Sequence, residues 1–375
     1  MVSHSTFQRI WLPGFLLQSV MIGGGYATGR ELVEFFLSAG PVNGLLAMLV
    51  ATAMFSIISA LSFELARMTM SYNYRSFFHQ LLGRGWFLFE IAYFALAILI
   101  LAVLGAASGE LVAEHLGLAK LGGTLLLMAL IGVLVFWGTS LIEKVMAGWS
   151  FLLYITYALL VFLCLWRFGG DLLNNLAVEP VVSGWVKNGV LYAGYNLATI
   201  PIILFCVSHM ASRKDAFTAG VLAGPLAMIP AFLFYLAMAA FYPDILNAAV
   251  PADFIFQQLE MSWISLVFYI VVFGTLVETG TAIIHAFNER ISEVYREKNK
   301  VMPHWLRTGV ALVALTLAVV LAGRIGLIDL IARGYGTLTW VFIAIFVVPL
   351  CTVGLWKIWR SAGSNLPGES PTRQI

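Results

Sequence analysis

The sequence predicts an all-α polytopic membrane protein of ten transmembrane helices, built as two five-helix halves of opposite orientation, with the first helix of each half interrupted. Three observations predict it. The 375 residues are 61% hydrophobic and only 11% charged, with a mean hydropathy of +0.93; a soluble domain carries about 25% charge. Ten apolar segments approach or exceed the roughly 20 residues needed to span a bilayer. Two of them, the first and the sixth, are broken by glycine and polar residues.

In order, the segments are 8–36, 43–69, 86–116, 122–138 and 141–167, then 189–210, 214–242, 261–290, 304–323 and 326–358. Segment four is short; segments one, three, eight and ten are long enough to tilt or bend. An even number of spans puts both termini on one side. Most of the 21 Lys and Arg residues fall at the ends and loops of that side, above all Arg290, Arg296, Lys298, Lys300 and Arg307. The positive-inside rule then places both termini in the cytoplasm of a cell-membrane protein. Five spans per half is odd, so the halves insert in opposite senses: residues 1–168 and 189–358 form an inverted pair, joined by an outer connector at 169–188 and followed by a disordered tail at 359–375. Residues 72–82 mix aromatics with Arg75 and His79 and fit a cytoplasmic interfacial helix. Outside, 171–181 and 246–259 fit short lid helices.

The breaks carry the functional signal. In segment one the run Gly23-Gly24-Gly25-Tyr26-Ala27-Thr28-Gly29-Arg30-Glu31 interrupts apolar helix; in segment six Gly194-Tyr195-Asn196 precedes Pro201. Lipid cannot hydrogen-bond an unwound backbone, so such breaks persist only where protein or a cavity supplies partners. A half-helix ending in the membrane offers C=O groups at one end and N–H groups at the other, which suit an ammonium and a carboxylate respectively. Candidate substrate contacts are therefore Gly23, Gly24, Gly25, Tyr26, Ala27 and Thr28 with Gly194, Tyr195 and Asn196. Close helix packing is the competing explanation for the glycines.

Charges inside the membrane are costly and mark pathways or pairs. Arg30 and Glu34 are spaced i,i+4 and can pair locally. Glu278 lies 12 residues before Arg290, about 18 Å from the helix end and near mid-membrane. It serves either as a proton-coupling group or as a hydrogen-bonded structural acid. Thr275 and Thr279 on the same segment, with helix-one carbonyls, suit a hard cation such as sodium, although membrane threonines also pack.

Ten helices with breaks in the first and sixth resemble the LeuT-type fold of the amino acid–polyamine–cation superfamily. Within it, GGGYATGRELVEFF at 23–36 resembles the GAGFASGQE-type signature of YkvI-like membrane proteins, and Arg333-Gly334-Tyr335-Gly336 resembles theirs in helix ten. The resemblance implies a permease for an amino acid or related amine. It also implies an outer gate between Arg30 and Asp329, with Arg333 competing for Asp329 or Glu31, and a sodium site between helices one and eight. The lysine that some proton-driven relatives place within helix five is not matched: Lys144 lies at the segment's start, and deeper positions such as Leu153 are apolar.

The sequence thus points to a secondary transporter of a small solute in the lipid bilayer, with no cofactor beyond a coupling H⁺ or Na⁺. A carrier of nucleobases or organic cations is the alternative within transport, and a transporter-derived sensor lies beyond it. A metal-ion carrier is disfavoured by the lack of an Asp, His, Cys or Met cluster at the breaks. No Walker A run or HExxH appears, which argues against ATP hydrolysis or an intramembrane enzyme. Cys164, Cys206 and Cys351 lack metal or disulfide spacing, and a net charge of +2 suggests no nucleic-acid partner.

Overall fold

The computed structural model describes residues 5–137, 139–178, 183–260 and 262–363. Helical elements occupy each of the ten apolar segments, and no strand occurs among the described residues. Seven described helices are long and apolar enough to cross a membrane. Lys120–Trp137 is a shorter apolar helix, and segments one and six are divided into pieces too short to qualify singly.

Segment one is three pieces: α1 (Leu12–Met21), the single turn α2 (Gly24–Ala27) and α3 (Arg30–Phe35). Pro13 in the first turn starts α1 where its missing N–H costs nothing. The pieces part at Gly23, which is extended (φ −106°, ψ −174°), and at Gly29, whose φ of +79° favours glycine. After Gly40, α4 (Pro41–Thr69) crosses back. The expected interfacial helix is α5 (Tyr74–Leu82), capped by the Asn73 side chain, which accepts from Ser76 N at 2.8 Å. Its apolar face carries Phe77 and Phe78, and Phe78 stacks on Phe89 at 3.8 Å. Lys357 donates to the Gln80 carbonyl at 2.8 Å, tying helix ten's end to α5.

Next come α6 (Phe87–Leu116) and α7 (Lys120–Trp137), joined through Gly117 at φ +64°. Their crossing is a hydroxyl-to-glycine exchange. Ser108 Oγ donates to the Gly123 carbonyl at 2.9 Å and Thr124 Oγ1 to that of Gly105 at 2.8 Å. Small residues let the backbones close up, and hydroxyls then bond across the gap. The helix α8 (Thr139–Val178) runs past a non-helical Phe168. The expected lid helix at 171–181 is therefore the outer extension of α8, with 179–182 outside the described residues.

Segment six begins as α9 (Trp185–Asn196) and continues as tight 3₁₀ turns over Leu197–Ile202 and Leu204–His209. The expected discontinuity is not an open loop: helix type changes at Leu197, just past Gly194-Tyr195-Asn196, and Pro201 lies within the tighter stretch. A capping box, Ser212 with Asp215, starts α10 (Arg213–Ala239). The contact between α10 and α4 is the most extensive in the molecule. There Gly220 faces the Ala60 backbone, Gly224 faces Ser56, and Ser56 Oγ donates to the Val221 carbonyl at 2.8 Å.

The short helix expected as a lid within 246–259 is present as α11 (Pro251–Leu259). Then follow α12 (Ser262–Glu297) and α13 (His304–Arg324). Segment ten is continuous but widens into π-type turns: α14 (Leu327–Asp329), a wide turn over Leu330–Tyr335, α15 (Gly336–Phe342), two further wide turns, and α16 (Leu355–Gly363). Helix thus persists five residues into the expected tail, whose remainder, 364–375, lies outside the described residues.

Candidate functional site

The helix-one break is held from three directions. On one side Gly23 faces α12: a Cβ there would lie 3.4 Å from Thr279 Cγ2. On a second side the Ala27 carbonyl accepts from the Tyr157 hydroxyl of α8. At the outer end the Thr28 carbonyl accepts from Ala252 N of the lid at 3.1 Å, while Thr28 Oγ1 accepts from Arg30 N at 3.3 Å. Unwinding thus exposes backbone acceptors that neighbouring elements take up, as an apolar surrounding requires. Tyr26 is buried, and its hydroxyl has no hydrogen-bond partner among the described residues. A cavity of about 330 Å³ lies against this face of the break, lined by Ile22, Tyr26, Ala27, Tyr154, Tyr157 and Phe234 among others. It is strongly apolar, and it sits between α1, α8 and α10 rather than against segment six.

The segment-six residues meet helix one farther out. Tyr195 OH donates to Glu31 Oε2 at 2.6 Å, and the Tyr195 ring stacks on Tyr335 with centroids 4.4 Å apart. Glu31 is 6% exposed. Gly194 faces Thr339 of α15; a Cβ there would come within 3.1 Å of Thr339 Cβ. Thr339 Oγ1 donates to the Leu191 carbonyl at 2.6 Å, so Gly194 is where α9 and α15 cross closely. Asn196 Nδ2 donates to the Tyr192 carbonyl at 3.0 Å and is spent on its own helix.

Arg30 and Asp329 do not meet. Arg30, 4% exposed, donates to the Leu246 carbonyl at 2.8 Å, the Ala248 carbonyl at 3.1 Å and Glu34 at 2.7 Å. Asp329 pairs instead with Arg333 at 3.1 Å on the exposed surface. The reason is reach: both acids take the cation one turn away on their own helix, and the other terminal nitrogen of Arg30, Nη1, goes to the two lid-loop carbonyls. Arg30 is thus tied to the loop that precedes α11 and not to segment ten.

On α12, Thr275 Oγ1 donates back to the Val271 carbonyl at 2.8 Å, the packing use of a membrane threonine. Glu278 is half-buried one position from Thr279. The structure therefore brings Thr279, rather than Thr275, to the break. The lid has a second anchor. Asp253, 1% exposed, accepts from Tyr269 of α12 and from Gln257 at 3.3 Å, and lies 3.0 Å from His115 Nε2 at the end of α6. Burial pushes the Asp253 carboxyl up to about 6; the Tyr269 hydrogen bond opposes this, Glu114 adds to it and His115 opposes it. At the opposite end Arg9 pairs with Asp215 at 3.2 Å, tying the start of helix one to the cap of α10.

Sequence reasoning offered Glu31 only Arg333, which pairs with Asp329 instead, and gave no role to Tyr157, Thr339 or the Leu246 and Ala248 carbonyls. A tyrosine in an otherwise apolar stretch was the available signal for Tyr157. Backbone carbonyls leave none.

No protein-family model matches the chain. The uncharacterized membrane protein YkvI of Bacillus subtilis (strain 168) is 23% identical over 352 residues, spanning 90% of this chain and 94% of that one. Among solved structures, MhsT in complex with L-phenylalanine aligns at a TM-score of 0.56 and 15% identity, covering 94% of this chain and 98% of that chain. A manganese transporter of Eremococcus coleocola aligns at 0.55 and 12% identity, covering 90% and 77%. A Na⁺-coupled sialic acid symporter aligns at 0.50 and 13% identity, covering 91% and 87%. The fold of this chain is the LeuT type, and the chain is an integral membrane protein.

Proposed function

We propose that this protein is a secondary transporter of an amino acid or related amine that works by alternating access about the helix-one break. The observation that carries the proposal is the break itself: α1 and α3 are separate rods hinged at Gly23 and Gly29, and adjacent carbonyls between them are held by α8 and by the lid. Two rods joined at a midplane site can tilt independently, so each side can open in turn. The outer path is closed by Arg30 and Ala252; at the other end, Arg9 with Asp215 holds helix one to α10. With the basic ends facing the cytoplasm of a cell membrane, that second tie is the inner closure.

The solute class follows from the donors. Break residues 23–28 are Gly, Tyr, Ala and Thr, which offer a manganese ion no carboxylate, imidazole or thiolate. Backbone carbonyls and a tyrosine hydroxyl suit an ammonium group, and an apolar cavity beside them suits a side chain. MhsT, which has the same fold, is solved with L-phenylalanine. Coupling is to H⁺ or Na⁺, and the closeness of Gly23 to Thr279 supports a cation between helices one and eight.

The test is uptake of a tritiated amino-acid mixture by liposomes holding the purified full-length protein, alongside thermal stability with amino acids, amines and nucleobases in sodium or potassium. Protein-dependent counterflow of amino acids, and a stabilisation that saturates with one class, is the expected result. Stabilisation by nucleobases alone reassigns the solute. No counterflow of any amino acid overturns the proposal.

A further inference from the structure

Resting on the transport proposal and narrowing its solute, we infer that the solute's side chain is bulky, apolar and uncharged, that it lies in the cavity between α1, α8 and α10, and that the Tyr26 hydroxyl holds the amino-acid head at the cavity's edge. The cavity measures about 330 Å³ and lies on the α8 and α10 side of the break; Glu31, Tyr195 and Asn196 do not line it. A site of about 150 Å³ holds a benzene ring, so this one takes a ring or a branched chain together with the head that carries it. A solute as small as glycine forgoes most of the contacts on offer. Three rings shape the space. Phe234 stands edge-on to Tyr157 with centroids 5.0 Å apart, and tilted to Tyr26 at 6.5 Å. Apolar side chains, aromatic ones above all, pack well against such rings.

The lining rejects charge. Among the described residues, no Lys, Arg, His, Asp or Glu lines the cavity. Its rim is apolar too: Phe162 of α8 is 65% exposed and Leu233 of α10 is 44% exposed, on flanks that meet lipid. A charged side chain there has no partner, which apolar surroundings penalise heavily. The head is met differently. Tyr26 belongs to the break, lines the cavity and is 4% exposed, and its hydroxyl has no hydrogen-bond partner among the described residues. An unpaired buried hydroxyl is costly, so a solute that pairs it gains what the protein alone forgoes. A phenol both accepts and donates, which suits an ammonium beside a carboxylate. The neighbouring Tyr157 hydroxyl is given to the Ala27 carbonyl and serves the break. Tyr26 therefore reads the head that all amino acids share, and the cavity reads what distinguishes them.

The experiment titrates purified full-length protein with L-phenylalanine, L-leucine, L-valine, glycine, L-lysine and L-glutamate, reads each Kd from thermal stabilisation, and repeats the order by counterflow in liposomes. Phenylalanine and leucine are expected to bind at least about tenfold more tightly than glycine, lysine or glutamate. Ala158 lines the cavity from the exposed face of α8, so Ala158→Leu adds three carbons to the space without disturbing buried packing. It should weaken phenylalanine at least about tenfold more than valine. Tyr26→Phe should weaken phenylalanine and leucine alike, by about tenfold. Tighter binding of glycine, lysine or glutamate, or an Ala158→Leu variant with the wild-type ratio of phenylalanine to valine, overturns the inference and leaves the transport proposal standing. An unchanged affinity in Tyr26→Phe overturns the role of its hydroxyl; if that variant does not fold, the panel and Ala158→Leu decide. Neither binding nor counterflow of any amino acid defeats the transport proposal as well.

Discussion

Arg30→Ala should unlatch the outer lid. The side chain gives two charge-assisted hydrogen bonds to lid-loop carbonyls, 2.8 Å to Leu246 and 3.1 Å to Ala248. Bonds to a charged group are worth about 1.5–3 kcal/mol each, and water recovers part of that once the lid lifts, so the low end applies and the pair contributes about 3 kcal/mol. At about 1.4 kcal/mol per decade, the open fraction rises roughly 100-fold. A thiol reports it. Val250, 3% exposed, precedes the lid helix, and Val250→Cys is smaller than the native side chain. Cys164 and Cys206 are buried, so only the exposed Cys351 needs replacement by serine. Labelling of Val250→Cys by an impermeant maleimide should quicken roughly 100-fold on Arg30→Ala, within the range the open-fraction shift sets. Asp329→Asn should leave it unchanged, because Asp329 is exposed and paired with Arg333. If Asp329→Asn matches Arg30→Ala, or Arg30→Ala changes nothing, the lid-carbonyl latch is wrong.

Three further outcomes follow from the same geometry. Gly194→Ala forces its new methyl into Thr339 and should cost about 1–3 kcal/mol of stability, read as a lowered Tm; adding Thr339→Ser removes the methyl in the way, keeps the hydroxyl bond to Leu191 and should recover most of the loss. Tyr195→Phe strips Glu31 of its donor at unchanged ring volume and should cost about 1–3 kcal/mol, with little further loss when combined with Glu31→Gln. Asp253 titrates at about 6 in the closed lid, against about 4 in water. The closed lid holds that proton more tightly, so closure is favoured at low pH and loses this help as pH rises through about 6. Val250→Cys labelling, normalised at each pH to denatured protein, should therefore rise between about pH 5 and 7, and Asp253→Asn should flatten the slope although Glu114, His115, Gln257 and Tyr269 still surround the position.

Much of the fold was readable because the bilayer imposes it. Length and apolarity locate the helices, and the run at 23–31 marks where helix cannot continue unaided, whereas 194–196 stays within α9 and the helix tightens only beyond it. Asn73, Ser212 and Pro251 announce their helix starts. What the sequence left open was partnership. Arg30 had an acid one turn away and another far downstream, and spacing permits both; the deciding acceptors are main-chain carbonyls at Leu246 and Ala248, which no residue type advertises. Gly194 illustrates the converse. Beside a tyrosine and an amide it resembles a ligand position, yet the close approach it provides is to Thr339. Thr275 and Thr279 are one turn apart on the same face of α12 and chemically alike; only their height along the helix sets one clear of the break, bonded back to the Val271 carbonyl, and the other beside Gly23.

The neighbouring carbonyls of Ala27 and Thr28 have a consequence for how the two faces of the membrane communicate. One is claimed by Tyr157 of α8 and the next by Ala252 of the lid, so the state of each element is written into two adjacent peptide planes that meet at the Thr28 Cα. A change in the Thr28 backbone dihedrals turns one plane against the other and disturbs a claim on either side. The two ends of the molecule then need no long relay of side chains to keep from opening together: they share a common switch one residue wide, and lesions at Tyr157 and Ala252 should be non-additive despite their separation along the chain.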